Sequence, residues 1–282
     1  MTPAEILRRD LATLSAALSL EPAGARLEIR VLLGHALGVN RAWLIAHEHD
    51  ELPAAPLEKY QALLARRLAG EPVAYLLGEK EFFGRSFHVT PAVLVPRPET
   101  ELLVELALEK LPPAGRALDL GTGSGCIAIT LALERPDCGI LAVEQSAEAL
   151  SVAKQNAVRL GARLGFYPGS WFQALPADTE KFDLIVSNPP YVAEGDSHLA
   201  ALAQEPAEAL ASGADGMDDI RLIVQGAPAW LKPGGWLLFE HGWDHGEACR
   251  DLLKQAGFCD VETRADLAGI GRVTLGHVCA RL

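Results

Sequence analysis

The chain has 282 residues, of which 49% are hydrophobic and 22% are charged, a composition typical of a globular protein rather than a disordered one. At roughly 150 residues per domain, this length predicts two domains of unequal size. The formal net charge of -12 argues against a protein that wraps a nucleic-acid backbone, because such proteins bind phosphates through clustered Lys and Arg side chains. We therefore expect a protein partner and no direct contact with nucleic acid.

The amino terminus carries Glu5, Arg8, Arg9 and Asp10 and has no apolar segment, so no secretory signal is expected. The chain also has no run of about 18 apolar residues, which predicts a cytoplasmic protein without a membrane partner. Its five cysteines are scattered and lack CxxC spacing. This pattern indicates neither a disulfide framework nor a zinc site, and we interpret the cysteines as small buried apolar residues.

Helical signals occupy the first quarter of the chain. Thr2, Pro3 and Glu5 form the pattern of a capped helix start. Leu27, Val31, Leu32 and Leu33 fit one face of a helix before Gly38, and Asn40 can cap a short helix through Trp43. A further helical repeat over residues 57–68 completes a small all-α domain, predicted at 1–75.

A β-hairpin is predicted to follow the helices as a linker over residues 76–95. Phe82, Phe83 and Phe87 lie on either side of Gly84 there, a sequence pattern typical of two short strands joined by a turn. The larger domain is then predicted to comprise the third segment, residues 96–282.

The third segment alternates short β-rich runs with helical runs, which predicts an α/β fold with a doubly wound, largely parallel sheet. The predicted strands are 117–120, 140–143, 182–187, 236–240 and 273–279, and the predicted helices lie around 147–160, 218–231 and 245–256.

A glycine-rich loop follows the first of these strands and precedes a helix. Gly121, Gly123 and Gly125 allow the backbone to approach a ligand closely, and Glu144 ends the next strand about 20 residues later, where a carboxylate can bind ribose hydroxyls. This spacing is not that of a pyrophosphate loop, and it suits the amino-acid tail of S-adenosylmethionine. Asp119, at the end of the first strand, is expected to meet the ammonium group of that cofactor directly or through water.

The tetrapeptide Asn188-Pro189-Pro190-Tyr191 follows the predicted strand 182–187, so it is expected at the same sheet edge as the glycine-rich loop. Each proline biases its predecessor towards an extended backbone, which leaves Asn188 and Pro189 free to accept hydrogen bonds. Two fixed acceptors can orient the N–H groups of an amide or of an exocyclic amine towards a methyl donor. Tyr191 is expected to stack on that planar group.

These motifs together resemble one family, the release factor glutamine methyltransferases, which are class I S-adenosylmethionine-dependent methyltransferases with a Rossmann-like sheet. The resemblance spans nearly the whole chain. It also includes the segments 71–78 and 94–101 and the tripeptide Glu240-His241-Gly242.

The resemblance implies that the helical domain helps to hold a release factor, and that the larger domain methylates the glutamine of its Gly-Gly-Gln loop. The cofactor positions that it implies are Gly121, Thr122, Gly123, Ser124, Gly125, Glu144, Trp171 and Asn188. The catalytic positions are Asn188, Pro189 and Tyr191, and the substrate positions are Asn188, Pro189, Pro190, Tyr191, Arg97, Glu99 and Thr100. Ser170 stands where many relatives have aspartate, and its hydroxyl can still accept the adenine amino proton.

Two other functions stay open beside the release factor activity. Ribosomal-protein glutamine methyltransferases look similar in the catalytic motifs. At the position of residues 96–99, however, their sequences resemble Pro-Arg-Ser-Pro, whereas this chain has Pro-Arg-Pro-Glu. Adenine methyltransferases that act on nucleic acid use the same tetrapeptide on a flipped base, although the basic surface expected for them is missing here. A module that binds cofactor or a partner without catalysis is disfavoured by the intact tetrapeptide.

No metal site is predicted. Residues 47–50 read His-Glu-His-Asp but lie at the expected end of a short helix, which favours a solvated helix end. His241 and His245 lie four residues apart, yet Gly242 and the end of a predicted strand break the helical spacing between them.

Overall fold

The computed structural model describes residues 1–279, and its contacts divide the chain into two compact units. The first unit is Met1–Glu79, and the second begins at Lys80. This division falls inside the linker predicted at 76–95, while the limits of the predicted functional domains stay predictions. No helix of the described part of the chain is both long and apolar enough to cross a membrane.

The first unit is helical, as predicted. Thr2 Oγ1 accepts a hydrogen bond from the Glu5 backbone N–H at 3.3 Å, and the Glu5 carboxylate accepts one from the Thr2 N–H at 2.9 Å, so the predicted capping box is confirmed. The predicted Asn40 cap is also confirmed, because Asn40 Oδ1 accepts from the Trp43 N–H at 2.9 Å. The helices are α1 (Pro3–Leu18), α2 (Pro22–Leu37), α3 (Arg41–Ala46), α4 (Ala54–Leu68) and α5 (Val73–Leu77), the last of which was not predicted.

The predicted hairpin is confirmed at the start of the second unit. Strand β1 (Glu79–Phe82) pairs with β2 (Arg85–His88), and the turn residues Phe83 and Gly84 both have a left-handed backbone, with φ of 50° and 70°. Such a turn matches the twist of two-residue hairpins. The rings of Phe82 and Phe87 lie 6.1 Å apart in the core of the second unit, so the hairpin packs as part of that unit.

A seven-stranded sheet forms the centre of the second unit, with the strand order β5-β4-β3-β6-β7-β9-β8. Its strands are β3 (Arg116–Leu120), β4 (Gly139–Glu144), β5 (Gly165–Pro168), β6 (Phe182–Ser187), β7 (Leu231–Glu240), β8 (Phe258–Ala265) and β9 (Gly271–Val278). The helices are α6 (Thr100–Lys110), α7 (Cys126–Glu134), α8 (Ala147–Leu160), α9 (His198–Ala201), α10 (Asp218–Trp230) and α11 (Gly246–Gln255).

The sheet is parallel from β5 to β7, whereas β9 runs antiparallel to both of its neighbours. The chain moves from β3 outwards through β4 and β5, and then returns to the other side of β3 as β6. The carboxyl ends of β3 and β6 therefore border the crevice at which doubly wound sheets bind ligands. Helices on both faces cover two apolar cores, which confirms the predicted fold class.

The predicted strand 182–187 and the predicted helix 147–160 agree with the structure at both ends. Strand β7 begins five residues before the predicted position, at Leu231 instead of Trp236, and four of the elements of the sheet domain named above were missed: β5, β8, α6 and α9. Strand β8 is an edge strand whose partner β9 follows later in the chain, so its pairing depends on the tertiary fold.

The interpretation of the cysteines was wrong in part. Cys126 and Cys249 are buried as expected, but Cys138 is half-buried. Cys259 and Cys279 form a disulfide, with their Cα atoms 5.5 Å apart. The pairing of β8 with β9 brings these two residues together, which their separation of 20 residues in the sequence did not indicate.

Candidate functional site

The glycine-rich loop connects β3 to α7 and lines a cavity at the carboxyl end of the sheet. Gly121, Gly123 and Gly125 have φ angles of 72°, 56° and 84°, a left-handed conformation that residues with a Cβ rarely adopt. The N–H groups of Gly121 and Thr122 both donate to the carbonyl of Val143 at 3.0 Å, which fixes the loop against β4. The sequence therefore places glycines where this backbone requires them.

Glu144, the last residue of β4, lines the same cavity and is only 8% exposed. One carboxylate oxygen accepts the Gly123 N–H at 2.8 Å, and the other accepts the Ser146 N–H at 2.9 Å. A carboxylate has about four acceptor sites, so two remain for a ligand. This geometry suits a pair of ribose hydroxyls.

Asp119 is fully buried and does not line the cavity. Its Oδ2 atom accepts a hydrogen bond from the Thr122 hydroxyl at 2.6 Å and one from the Ala128 N–H at 3.3 Å. Burial raises the pKa of the Asp119 carboxyl to about 7, which weakens its suitability as a permanent anion. Asp119 thus holds the start of the glycine-rich loop through Oδ2, while its Oδ1 atom has no hydrogen-bond partner among the described residues. Its contact with the cofactor's ammonium group, directly or through water, stays a prediction.

Trp171 forms one wall of the cavity. Its backbone is left-handed, with a φ of 44°, and its ring lies so close to the loop that a Cβ on Gly121 would be 3.3 Å from Cζ3. The indole Nε1–H donates to Asp219 Oδ1 at 3.2 Å, and the other oxygen of Asp219 accepts from the Ser212 hydroxyl at 2.8 Å. Ser170 lines the cavity beside Trp171, as its expected role at the adenine requires.

The tetrapeptide leaves the end of β6 next to the glycine-rich loop, because the Ser187 hydroxyl donates to the Leu120 carbonyl at 2.7 Å. Asn188 and Pro190 line the cavity, whereas Pro189 is buried and Tyr191 is half-buried, and neither of these two lines it. Asn188 Nδ2 donates to the Thr100 hydroxyl oxygen at 3.2 Å. Within residues 1–279, no donor hydrogen-bonds Asn188 Oδ1 or the carbonyl oxygen of Pro189, so neither acceptor is used by another described residue.

The segment before α6 borders the cavity on the side of the tetrapeptide. Arg97 lines the cavity and forms an ion pair with Glu205, whose other oxygen accepts the Val95 N–H at 3.0 Å. Thr100 is 2% exposed and also lines the cavity, whereas Glu99 is half-buried and does not.

Most of the predicted site residues thus lie together. Those that line the cavity are Arg97, Thr100, Gly121, Thr122, Gly123, Ser124, Glu144, Trp171, Asn188 and Pro190. Those that do not line it are Glu99, Asp119, Gly125, Pro189 and Tyr191.

Three residues that shape the site were not predicted as site residues: Asn156, Asp219 and Glu240. Asn156 is fully buried and joins the Ser124 carbonyl, at 2.9 Å, to the backbone of the hairpin strand β2. Asp219 holds Trp171, and Glu240 accepts a hydrogen bond from Thr100 at 2.7 Å. All three contacts join residues that are far apart in the sequence, and only Glu240 had a signal, its place in a family motif.

Comparisons with known proteins agree with this architecture. Residues 11–78 match the family model of the PrmC N-terminal domain, and residues 98–215 match that of the methyltransferase small domain. The release factor glutamine methyltransferase of Bordetella pertussis is 52% identical to this chain, over 94% of this chain and 100% of the relative. The chain belongs to the release factor glutamine methyltransferase family. The family member of Neisseria gonorrhoeae is 49% identical, over 91% of this chain and 95% of its own length.

A solved structure also resembles the fold. A methyltransferase from Pyrococcus furiosus superposes with a TM-score of 0.55 at 19% identity and covers 76% of this chain and 97% of its own. The family and the fold together identify this protein as a methyltransferase. The cavity at the carboxyl end of the sheet agrees with this activity.

Proposed function

We propose that this methyltransferase transfers a methyl group from S-adenosylmethionine to the side-chain amide nitrogen of the glutamine in the Gly-Gly-Gln loop of peptide chain release factors. This modification would modulate translation termination in the cytoplasm. The names of its full-length relatives support the substrate. The observation that carries the chemistry is the pair of free acceptors, Asn188 Oδ1 and the Pro189 carbonyl, at the end of β6.

The cavity fits S-adenosylmethionine by its donor and acceptor groups. Glu144 has two acceptor sites left for the ribose. Gly121 and Gly123, whose positive φ angles favour glycine, have no side chain that could fill the cavity. Trp171 offers an aromatic wall, and the Ser170 hydroxyl can accept the adenine amino proton. When bound, the cofactor would supply an electrophilic methyl group on a sulfonium, and loss of this methyl group leaves S-adenosylhomocysteine, a neutral thioether.

The protein's contribution is to orient a poor nucleophile. The lone pair of an amide nitrogen is delocalised into the carbonyl, and it attacks only when the N–H groups are held so that the lone pair points at the methyl carbon. Asn188 Oδ1 and the Pro189 carbonyl would each accept one N–H of the glutamine. Positioning of this kind contributes about 7 to 11 kcal/mol in the best cases. The methylated nitrogen then loses its extra proton to water.

The remaining predicted substrate residues surround this point. Pro190 and Arg97 line the cavity and would contact the loop of the release factor, with Glu99 next to them. Thr100 also lines the cavity, but it is only 2% exposed and its hydroxyl oxygen accepts a hydrogen bond from Asn188. Tyr191 does not line the cavity, and its hydroxyl donates to Glu240 at 3.2 Å, which supports a role in holding the tetrapeptide in addition to the predicted stacking on the amide. The helical unit is the proposed holder of the rest of the release factor, as its family match suggests.

The test is methyl transfer from labelled S-adenosylmethionine to four acceptors in parallel: a release factor, the same factor with the loop glutamine replaced, a ribosomal protein, and duplex DNA. We expect label only on the unmodified release factor, and we expect Asn188→Ala to abolish it without loss of the fold. Label on the glutamine variant or on DNA would contradict the proposed substrate. Label on a ribosomal protein in place of the release factor would favour the alternative glutamine methyltransferase activity.

A further inference from the structure

Glu240 is a buried carboxylate that the proposed reaction does not use. It is the last residue of β7, it is 1% exposed, and it lies behind the tetrapeptide. The Thr100 hydroxyl donates to one of its oxygens at 2.7 Å, and the Tyr191 hydroxyl donates to the other at 3.2 Å. One carboxylate therefore joins the start of α6 to the segment after β6.

These contacts determine which way the Asn188 amide faces. An ionised carboxylate only accepts, so the single hydroxyl proton of Thr100 points at Glu240. The Thr100 oxygen is then an acceptor towards Asn188, 3.2 Å away, and it selects the amino group of the amide. The amide oxygen is left facing the cavity, where the substrate amide would be held.

We propose that Glu240 and Thr100 are positioning residues that act through Asn188: the ionised Glu240 orders the Thr100 hydroxyl, and this hydroxyl keeps the Asn188 oxygen turned towards the substrate glutamine. The proposal rests on the proposed function for its kinetic consequence, whereas the orientation of the Asn188 amide can be measured without substrate. Tyr191 is held by the same carboxylate, so its phenol fixes the far end of the tetrapeptide.

Protonation of Glu240 would reverse this order. A neutral carboxyl can donate to Thr100, whose own proton is then free to turn to Asn188 and to attract its oxygen away from the cavity. Burial raises the pKa of Glu240, and the hydrogen bonds from Thr100 and Tyr191 oppose that effect. Turnover should therefore fall as the pH falls through the raised pKa of Glu240.

The charged or titratable groups around Glu240 come from several elements. They are Glu99 and Arg97 before α6, Tyr191 after β6, Cys126 at the start of α7, and His241 and Arg272 beside the end of β7.

The kinetic test uses the full chain and a release factor at saturating cofactor. Thr100→Val removes the hydroxyl at nearly constant volume, and we expect kcat to fall by about 10- to 100-fold with little change in KM. Thr100→Ser retains the hydroxyl and should restore kcat to within about threefold of wild type. Glu240→Gln should lower kcat and abolish the acid limb of the profile of kcat against pH.

The matched control is Thr130→Val. Thr130 is a fully buried threonine of α7 whose hydroxyl has no partner among the described residues, so this substitution should leave kcat unchanged.

A second measurement is independent of turnover. In protein labelled with 15N-asparagine, the side-chain amide signals of Asn188, assigned with Asn188→Asp, should shift with pH in wild type and in Thr130→Val. They should not shift in Thr100→Val or Glu240→Gln. Wild-type kcat and an unchanged pH profile in Thr100→Val or Glu240→Gln would overturn the proposal, as would pH-independent Asn188 signals in wild type. A wild-type enzyme that shows the amide shifts but does not label release factor would instead refute the proposed function alone.

Discussion

Replacement of Glu144 by glutamine tests the carboxylate that we assign to the cofactor ribose. In the wild type both oxygens accept backbone N–H groups, from Gly123 at 2.8 Å and from Ser146 at 2.9 Å. A glutamine has one acceptor oxygen and one NH2 group, so one of these two N–H groups would face another donor. The ribose would also lose one of its two acceptors.

The magnitude follows from the charge of the lost acceptor. A hydrogen bond to a charged group contributes about 1.5 to 3 kcal/mol, and each 1.4 kcal/mol is a factor of ten in Kd. Loss of one ribose contact should therefore weaken cofactor binding by about 10- to 100-fold. The misplaced NH2 group would also disturb the backbone at Gly123 or Ser146, and this disturbance should weaken cofactor binding further.

Isothermal titration calorimetry with S-adenosylhomocysteine measures this effect directly. The matched control is Glu148→Gln, since Glu148 is exposed, lies four residues away and does not line the cavity. We expect the control to bind like wild type, and thermal melting of both variants checks the fold. A Kd for Glu144→Gln within about threefold of wild type would refute the assignment of Glu144 to the ribose.

Three further predictions concern the support of the site. Asn156→Ala deletes three hydrogen bonds of a fully buried amide, and urea denaturation should show a loss of about 2 to 4 kcal/mol; a loss below about 1 kcal/mol would contradict the importance of this contact. Gly125→Ala puts a side chain on a residue with φ of 84°, with its Cβ 2.6 Å from Ile129 Cδ1, and should cost about 1 to 2 kcal/mol, whereas Gly24→Ala in α2 should not destabilise. Burial raises the pKa of Asp119 from 3.8 to about 7, so the native state binds more protons than the unfolded state between these values. The contribution of Asp119 to the free energy of unfolding therefore decreases as the pH rises from 3.8 to about 7, and Asp119→Asn should remove it; identical pH slopes for both proteins would exclude the shift.

The parts of the fold that could be predicted are those in which a local pattern decides the structure. Strand β6 is a mostly apolar run that ends at Ser187, and the two prolines after Asn188 prevent its continuation. The start of α1 needs only the side chains of Thr2 and Glu5. The glycine-rich loop and Glu144 could be found because the ends of neighbouring parallel strands meet at one edge of the sheet.

The parts that could not be predicted depend on partners that are remote in the sequence. Strand β5 has only four residues, and β8 gains its order from pairing with β9. The hydrogen bond from Thr100 to Glu240 joins residues 140 positions apart, and that from Trp171 to Asp219 joins residues 48 apart. A polar residue at such a position has no periodicity of its own, so its role becomes visible only when the chain has folded.

The most direct test of the proposed function is to locate the transferred methyl group by tandem mass spectrometry of a release factor after incubation with the enzyme and S-adenosylmethionine. We predict one methyl group on the side-chain nitrogen of the Gly-Gly-Gln glutamine with wild type, and none with Asn188→Ala. A methyl group on any other residue, or an unmodified loop glutamine after incubation with a folded and cofactor-binding wild-type enzyme, would contradict it.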